Sequence, residues 1–258
     1  MFEPSEIRRR LKRLQTNVKN VGLDALVIRT DANITYLIGV HCELGERKAL
    51  LVVPAKGEPS LIVPRLEQEQ LGANPSVDNV LVYWEKDSKP GRNWEDLLYK
   101  TLGSAKRIGV DPKAEIDLSE ALADYQWQVS DLVEKQRVIK SPAEIALTRR
   151  VANYWTDAMD AMLSVAKAGV TGGELMAAGG KIADTIFSNE PEANWINTKI
   201  IQFFQCAPAS CSPHHASCRV VELLPNGPTT INAIGAVCDY YAENERTILT
   251  GDYTAQHA

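Results

Sequence analysis

The sequence contains no apolar run long enough to cross a bilayer as a helix, which takes about 20 predominantly apolar residues. No Lys/Arg-rich run with interleaved aromatics occurs, and the formal net charge is −5. Neither a membrane nor a nucleic acid is therefore an expected partner. Cysteine is sparse: Cys42, Cys206, Cys211, Cys218 and Cys238. An odd number of thiols without a signal peptide reads as reduced cysteines rather than a disulfide framework. The opening "MFEPSEIRRRLKRLQ" is charged but has no apolar stretch behind it, so it does not read as a secretory signal and a cytoplasmic location is expected. Internal repeats and low-complexity tracts are also missing. What remains is an ordinary globular balance, 45% hydrophobic and 24% charged over 258 residues. That length suits one large domain or two medium ones.

The first half alternates helix and strand. Ile7, Leu11, Leu14 and Val18 recur at helical spacing with basic residues between them, and Gly22 marks the stop. Short apolar runs follow at 24–29, 49–54, 60–64, 79–84 and 107–111. Their unbroken apolar character suits a sheet covered on both faces. Helical stretches are expected at "RLEQEQLGA", "NWEDLLYKTLG" and "DLSEALADY". The pattern predicts an α/β domain with a mixed sheet.

The texture changes near residue 139. Ser141-Pro142-Ala143-Glu144 carries a capping residue, a proline at the first helical position and a glutamate that reaches back, so a helix is expected to about Lys167. Trp155, Met159 and Met162 on one face of it read as core. Thr171-Gly172-Gly173-Glu174 repeats the signature and opens a second helix to about Ser188. Strands are then expected at "KIIQFF", at "RVVELL" and, as a pair, within "TTINAIGAVCDYYAENERTILTG".

Three constellations could carry chemistry. "CAPASCSPHHASC" packs three thiols and two imidazoles into one loop, but zinc sites usually back one close cysteine pair with a second pair, and none exists here. Buried small thiols are the plainer reading. His214 and His215 are adjacent in that loop, and an imidazole titrates near neutral pH, so either could serve as general acid or base. In "YYAENERT", period-two geometry places Tyr241, Glu243 and Glu245 on one face and Tyr240, Ala242, Asn244 and Arg246 on the other. Spacing alone leaves open whether the first face holds a substrate or merely meets water.

Taken in order, "RLKRLQTNVKNVGLDALVIRTDANITYLIGV", "VIKSPAEIALTRRVANYWTDAM", "SPHHAS" and "GAVCDYYAENERTILTG" resemble the creatinase/aminopeptidase P superfamily, whose catalytic domain has the pita-bread fold. The resemblance runs along essentially the whole chain. It implies an α/β creatinase-type N-terminal domain at 1–138, followed at 139–258 by the N-terminal half of an α+β pita-bread catalytic domain. The superfamily's metallopeptidases carry two bridging aspartates eleven residues apart, the second ahead of an Arg-Thr pair, and these hold a two-metal centre that activates water. Counting back from Arg246-Thr247, the matching positions here are Asn232 and Glu243. Asn supplies no anionic oxygen, so the ligand set is degenerate.

Creatinase-type members of the superfamily work without metal, and this chain resembles them in its Asn232 and its Tyr-Tyr pair. The resemblance then implies His215 or His214 as acid/base. Counting back from Asn232 favours the first; the Pro-His pattern favours the second. Tyr241 and Glu245, with Glu243 beside them, would hold a cationic substrate group, because carboxylates match a guanidinium through charge-assisted paired hydrogen bonds.

The expected function is hydrolysis of a C–N bond in a small-molecule or short-peptide substrate, with no cofactor. One alternative is a metal-dependent Xaa-Pro aminopeptidase or dipeptidase using Mn, Zn or Co. The other is a non-catalytic binding module. Superfamily members continue past the Asp239–Leu249 region to further ligands, and His257 does not replace them. The chain is accordingly expected to be truncated and inactive alone. By resemblance, a homodimer is expected in which the segment Gly39–Leu50 reaches over a second copy.

Overall fold

A computed structural model of the chain describes residues 2–74, 76–85, 89–113, 116–212, 214–215 and 218–252. His257 lies outside the described residues. The chain divides into two compact units, 1–140 and 141–258.

The first unit holds a six-stranded sheet. Its strands are β1 (Ala25–Ile28), β2 (Leu50–Pro54), β3 (Ser60–Pro64), β4 (Asn79–Tyr83), β5 (Arg107–Val110) and β6 (Gln126–Val129). They lie in the order β4-β3-β2-β1-β5-β6, with β2 antiparallel to both neighbours and the remaining pairs parallel. This is the mixed sheet expected. The helices are α1 (Pro4–Asn20), α2 (Asp31–Ile38), α3 (Gln68–Gly72), α4 (Trp94–Leu102), α5 (Ile116–Ala121) and α6 (Leu132–Val138). Alternate residues of each central strand enter opposite cores, as the pleat requires. Leu26, Ile28, Leu51 and Val53 pack with Leu14, Val18, Leu37 and Val133 from α1, α2 and α6. Ala25, Val27, Leu50 and Val52 pack with Leu98, Leu102 and Leu118 from α4 and α5.

The buried carboxylate of Asp111, just past β5, ties β1 to α2. It accepts hydrogen bonds from the backbone N–H groups of Arg29 (3.1 Å) and Thr30 (2.8 Å) and from Asn33 Nδ2 (3.2 Å). It thereby supplies partners at the start of α2, where helical N–H groups lack them.

In the second unit, α7 (Pro142–Val165) starts with the full capping box expected at Ser141 and Glu144. Trp155, Met159 and Met162 are buried along it. The next helix differs from expectation. It is broken at Lys181 into α8 (Gly172–Gly180) and α9 (Ile182–Asn189). The Gly179-Gly180 pair weakens helix continuation, and a Cβ on Gly179 would sit 2.8 Å from Met162 Cγ, so close packing on α7 requires glycine there. "RVVELL" is a second correction. Only Glu222 bridges, to Thr171. The carbonyls of Val221 and Arg219 instead accept from Gly172 (2.9 Å) and Gly173 (2.7 Å), the first N–H groups of α8, so the segment serves the helix start rather than a sheet.

The unit's sheet is antiparallel, in the order β7 (Lys199–Cys206), β8 (Pro228–Val237), β9 (Tyr240–Leu249). Strands β8 and β9 form a hairpin around Cys238 and Asp239, which have φ of 50° and 67°. Positive φ at both central residues is what a tight primed turn demands. One sheet face, with Phe204, Ile231 and Ala233, is buried, and β8 and β9 contact α7 while β7 contacts α8. Gly235 lies in β8 where a Cβ would fall 1.8 Å from the Lys199 carbonyl oxygen.

Candidate active site

The register of the three strands builds the site. Asn232 stands opposite Phe203 on β7 and opposite Glu245 on β9; Ile234 stands opposite Glu243, and Ala236 opposite Tyr241. Directly opposed residues share a face. Tyr241, Glu243, Glu245 and Asn232 therefore lie together on the sheet face that α7 does not cover. Tyr241 is 56% exposed, and both glutamates are exposed. Asn232 is the exception: flanked by strands on both sides, it is only 1% exposed.

The two positions expected to be degenerate metal ligands touch each other. Asn232 Nδ2 donates to Glu243 Oε1 at 2.5 Å, diagonally across β8 and β9. Asn232 Oδ1 is buried and has no hydrogen-bond partner among the described residues. A buried acceptor left unpaired carries a desolvation cost, so this atom stands as an available ligand for a donor or a cation.

Both histidines are exposed. His214 has φ of 62°, an unusual backbone for a residue other than glycine. Their loop is anchored from beneath by a residue the sequence gave no reason to single out. Gln205, 6% exposed at the end of β7, donates through Nε2 to the carbonyls of His215 (2.9 Å) and Ser212 (3.3 Å). No hydrogen bond or ion pair joins either imidazole to Glu243 or Glu245 among the described residues. The cysteines do not converge either. Cys206 is buried, Cys211 and Cys218 are exposed, and Cys211 Sγ donates to the Pro208 carbonyl at 3.0 Å.

The donor set can be weighed against the divalent metals of the superfamily. Among the described residues no three His, Cys, Asp or Glu side chains group closely enough to hold a metal ion. The more telling fact is chemical. A dinuclear centre needs a bridging carboxylate from each of two strands, whereas β8 offers a neutral amide whose N–H₂ end already faces the β9 carboxylate. These residues do not fit a two-metal site.

An α/β unit followed by two capped helices and an antiparallel sheet with a polar open face defines a two-part α/β and α+β scaffold. The creatinase/prolidase N-terminal domain family matches residues 10–139, and the chain belongs to it. A probable dipeptidase PepE of Mycobacterium tuberculosis is 27% identical over 152 residues, 58% of this chain and 40% of that protein. An uncharacterized peptidase of Staphylococcus epidermidis is 26% identical over 161 residues, 62% of this chain and 45% of that protein. The chain thus spans less than half the length of these curated relatives. Among solved structures, dipeptidase PepE from Mycobacterium ulcerans superposes with a TM-score of 0.80 at 23% identity, covering 100% of this chain and 68% of that one. An Xaa-Pro dipeptidase from Bacillus anthracis gives 0.75 at 17% identity, over 97% and 67%. At these identities the structural likeness establishes the fold alone; the superfamily expected from the sequence rests on the N-terminal family match.

Proposed function

We propose that this chain carries part of a hydrolase of the creatinase/Xaa-Pro peptidase superfamily that cleaves a C–N bond in a small or short-peptide substrate without a complete dinuclear metal site of its own. The observation that carries this reading is the Asn232–Glu243 hydrogen bond, which puts a neutral amide where a two-metal centre needs an anion. In this reading His215, or His214 beside it, moves the proton to the leaving nitrogen. Tyr241 and Glu245, with Glu243 behind them, hold the substrate's cationic group on the exposed face. Gln205 fixes the backbone of the histidine loop, and a homodimer would bring the segment 39–50 of a second copy to the site.

The relatives' dipeptidase names favour a second reading, a metal-dependent Xaa-Pro dipeptidase using Mn, Zn or Co. The deciding experiment presents the protein, expressed from its whole reading frame, with Xaa-Pro dipeptides and with guanidino acids, with chelator or with added Mn²⁺. Turnover that survives chelator and falls in both His215→Ala and His214→Ala, or in one of them, is the expected result. Xaa-Pro cleavage abolished by chelator would overturn it in favour of the metal-dependent reading. No turnover under either condition would favour a binding module on the same scaffold.

A further inference from the structure

The first unit has an open pocket of about 320 Å³; its lining takes Glu46, Arg47 and Lys48 from the segment 39–50, and its other residues have no part in the reading above. It opens where β4 ends, where the chain approaches β2, and where α4 begins, and its lining includes Glu46, Tyr83, Trp84, Glu85, Trp94 and Glu95. Because β2 alone runs against the other strands, this is the carboxyl edge of the parallel strands. Ligands of open α/β sheets bind at that edge.

The cavity is built on a fixed frame. The buried Tyr83 hydroxyl accepts from the Lys48 N–H (3.1 Å) and donates to the Lys48 carbonyl (3.0 Å). Asn93 caps α4 by accepting from the Asp96 N–H at 2.7 Å. The Trp84 N–H donates to the Arg92 carbonyl at 2.9 Å.

The cationic side chains of the lining are already engaged. Arg47 Nε pairs with Glu85 Oε1 at 3.0 Å. Lys48 Nζ pairs with Asp117 at 2.6 Å and also sits 5.6 Å from the centre of the Trp94 ring. Glu46 and Glu95 pair with no described residue, so the uncommitted charge of the cavity is negative. Trp84 lies beside them, 47% exposed. Flat indoles attract cations over their faces, and a guanidinium is planar, weakly hydrated and able to donate paired hydrogen bonds to carboxylates.

We propose that this cavity binds a guanidinium group, carried either by a small guanidine or by an arginine side chain of a peptide. The test titrates the full chain with three probes and follows binding by calorimetry. N-acetyl-arginine methylamide carries the guanidinium; N-acetyl-citrulline methylamide is its neutral counterpart; methylguanidine represents a free small guanidine. The arginine probe is expected to bind about tenfold tighter than the citrulline probe, the scale of one charge-assisted contact. The double variant Glu46→Gln, Glu95→Gln should reduce it to the citrulline level without changing thermal unfolding. Trp84→Ala should weaken it about fivefold through the lost ring face. Methylguanidine binding as tightly as the arginine probe would identify a free small guanidine as the source; binding of the arginine probe alone would identify a peptide arginine. Equal affinity for the arginine and citrulline probes, no binding of either, or full affinity in the double variant would overturn the proposal. The proposed substrate face on β9 also takes a cationic group, so the titration is repeated in a Tyr241→Phe, Glu245→Gln variant. Unchanged affinity for the arginine probe assigns it to the first unit, whereas loss of its binding there would overturn this proposal while leaving the proposed hydrolysis standing.

Discussion

The two sheets of this chain treat polar residues in opposite ways. In the first unit β1, β2 and β3 are buried on both faces, and the polar side chain at its centre, Asp111, is fully enclosed with three donors upon it. In the second unit β9 is exposed at every second residue from Tyr241 to Glu245. Asn232 there is buried yet keeps an unpaired oxygen. A satisfied buried polar group reads as architecture, and an unsatisfied one beside an open face reads as a site. The difference separates a polar group that holds β1 to α2 from one left partly unpaired beside the exposed carboxylates of β9.

The largest effect should come from breaking the architectural side. Asp111→Ala leaves the backbone N–H groups of Arg29 and Thr30 without their acceptor and takes one of the two acceptors of Asn33 Nδ2, which keeps Glu134 at 2.7 Å. At about 1–3 kcal/mol for a buried donor left unpaired, a loss of about 3–5 kcal/mol is expected. Chemical denaturation measures it, and hydrogen exchange should show the loss concentrated at β1 and α2. Asn232→Ala, by contrast, removes one hydrogen bond and also removes an unpaired oxygen, so it should cost far less than Asp111→Ala. Equal losses would erase the distinction between the two buried polar groups.

A second break acts on the other sheet. Gly235→Ala puts a methyl group against the Lys199 carbonyl, which is backbone and cannot swing aside. The β7–β8 pairing must then shift, at a cost of about 2–3 kcal/mol. Trp155 lies 3.1 Å from the same Cβ position, so its fluorescence should report the change.

How far the sequence announced all this follows from the same contrast. The enclosed strands were legible because burial on both faces writes itself as unbroken Leu, Val and Ile. β6 was not, since "QWQV" is exposed at all four residues and has no apolar pattern to read. Helix α2 also escaped notice. "DANITYLI" is buried at Asn33, Ile34, Tyr36, Leu37 and Ile38, which blurs the single apolar stripe of a surface helix, and its start is held by Asp111 from far along the chain. "RVVELL" misled in the other direction, because an apolar run says nothing of where its carbonyls are needed. The site was legible in part. Period two placed Tyr241, Glu243 and Glu245 together, but the Asn232–Glu243 contact is diagonal and depends on register, which no local pattern specifies. The hairpin turn lacks the usual glycine, and Gln205 is one glutamine among several until its amide is seen beneath the histidine loop.

A moderate effect tests an ion pair outside both cores. Arg150 donates through Nε (2.8 Å) and Nη2 (3.3 Å) to Glu190, and the Tyr154 hydroxyl adds a third bond at 3.2 Å. The guanidinium beside Glu190 holds its carboxyl below the ordinary value of 4.5, more than offsetting the opposing effect of burial. A depressed carboxylate stabilises the folded state above its unfolded pKa, and that contribution disappears as pH falls through the folded value. Arg150 is 52% exposed, so solvent screening limits Arg150→Ala to about 1 kcal/mol at neutral pH. The difference from the parent should shrink below pH 4.5 and vanish at lower pH; a gap that persists in acid would mean packing, not charge, holds these residues together.

The smallest effect separates two identical capping boxes by their surroundings. Ser141 Oγ accepts from the Glu144 N–H at 3.2 Å while the Glu144 carboxylate accepts from the Ser141 N–H at 2.8 Å. Glu144 is buried and also accepts from the Tyr240 hydroxyl at 2.8 Å, so the start of α7 is tied to the start of β9. Thr171 and Glu174 repeat the box on α8 with both residues in contact with water. Ser141→Ala should cost about 1 kcal/mol, the usual loss of an N-cap. Thr171→Ala should cost less, because water can replace its hydroxyl at an exposed helix end. The reverse order, measured as denaturation midpoints at constant slope, would show that the link from Glu144 to Tyr240 keeps α7 in place without its cap.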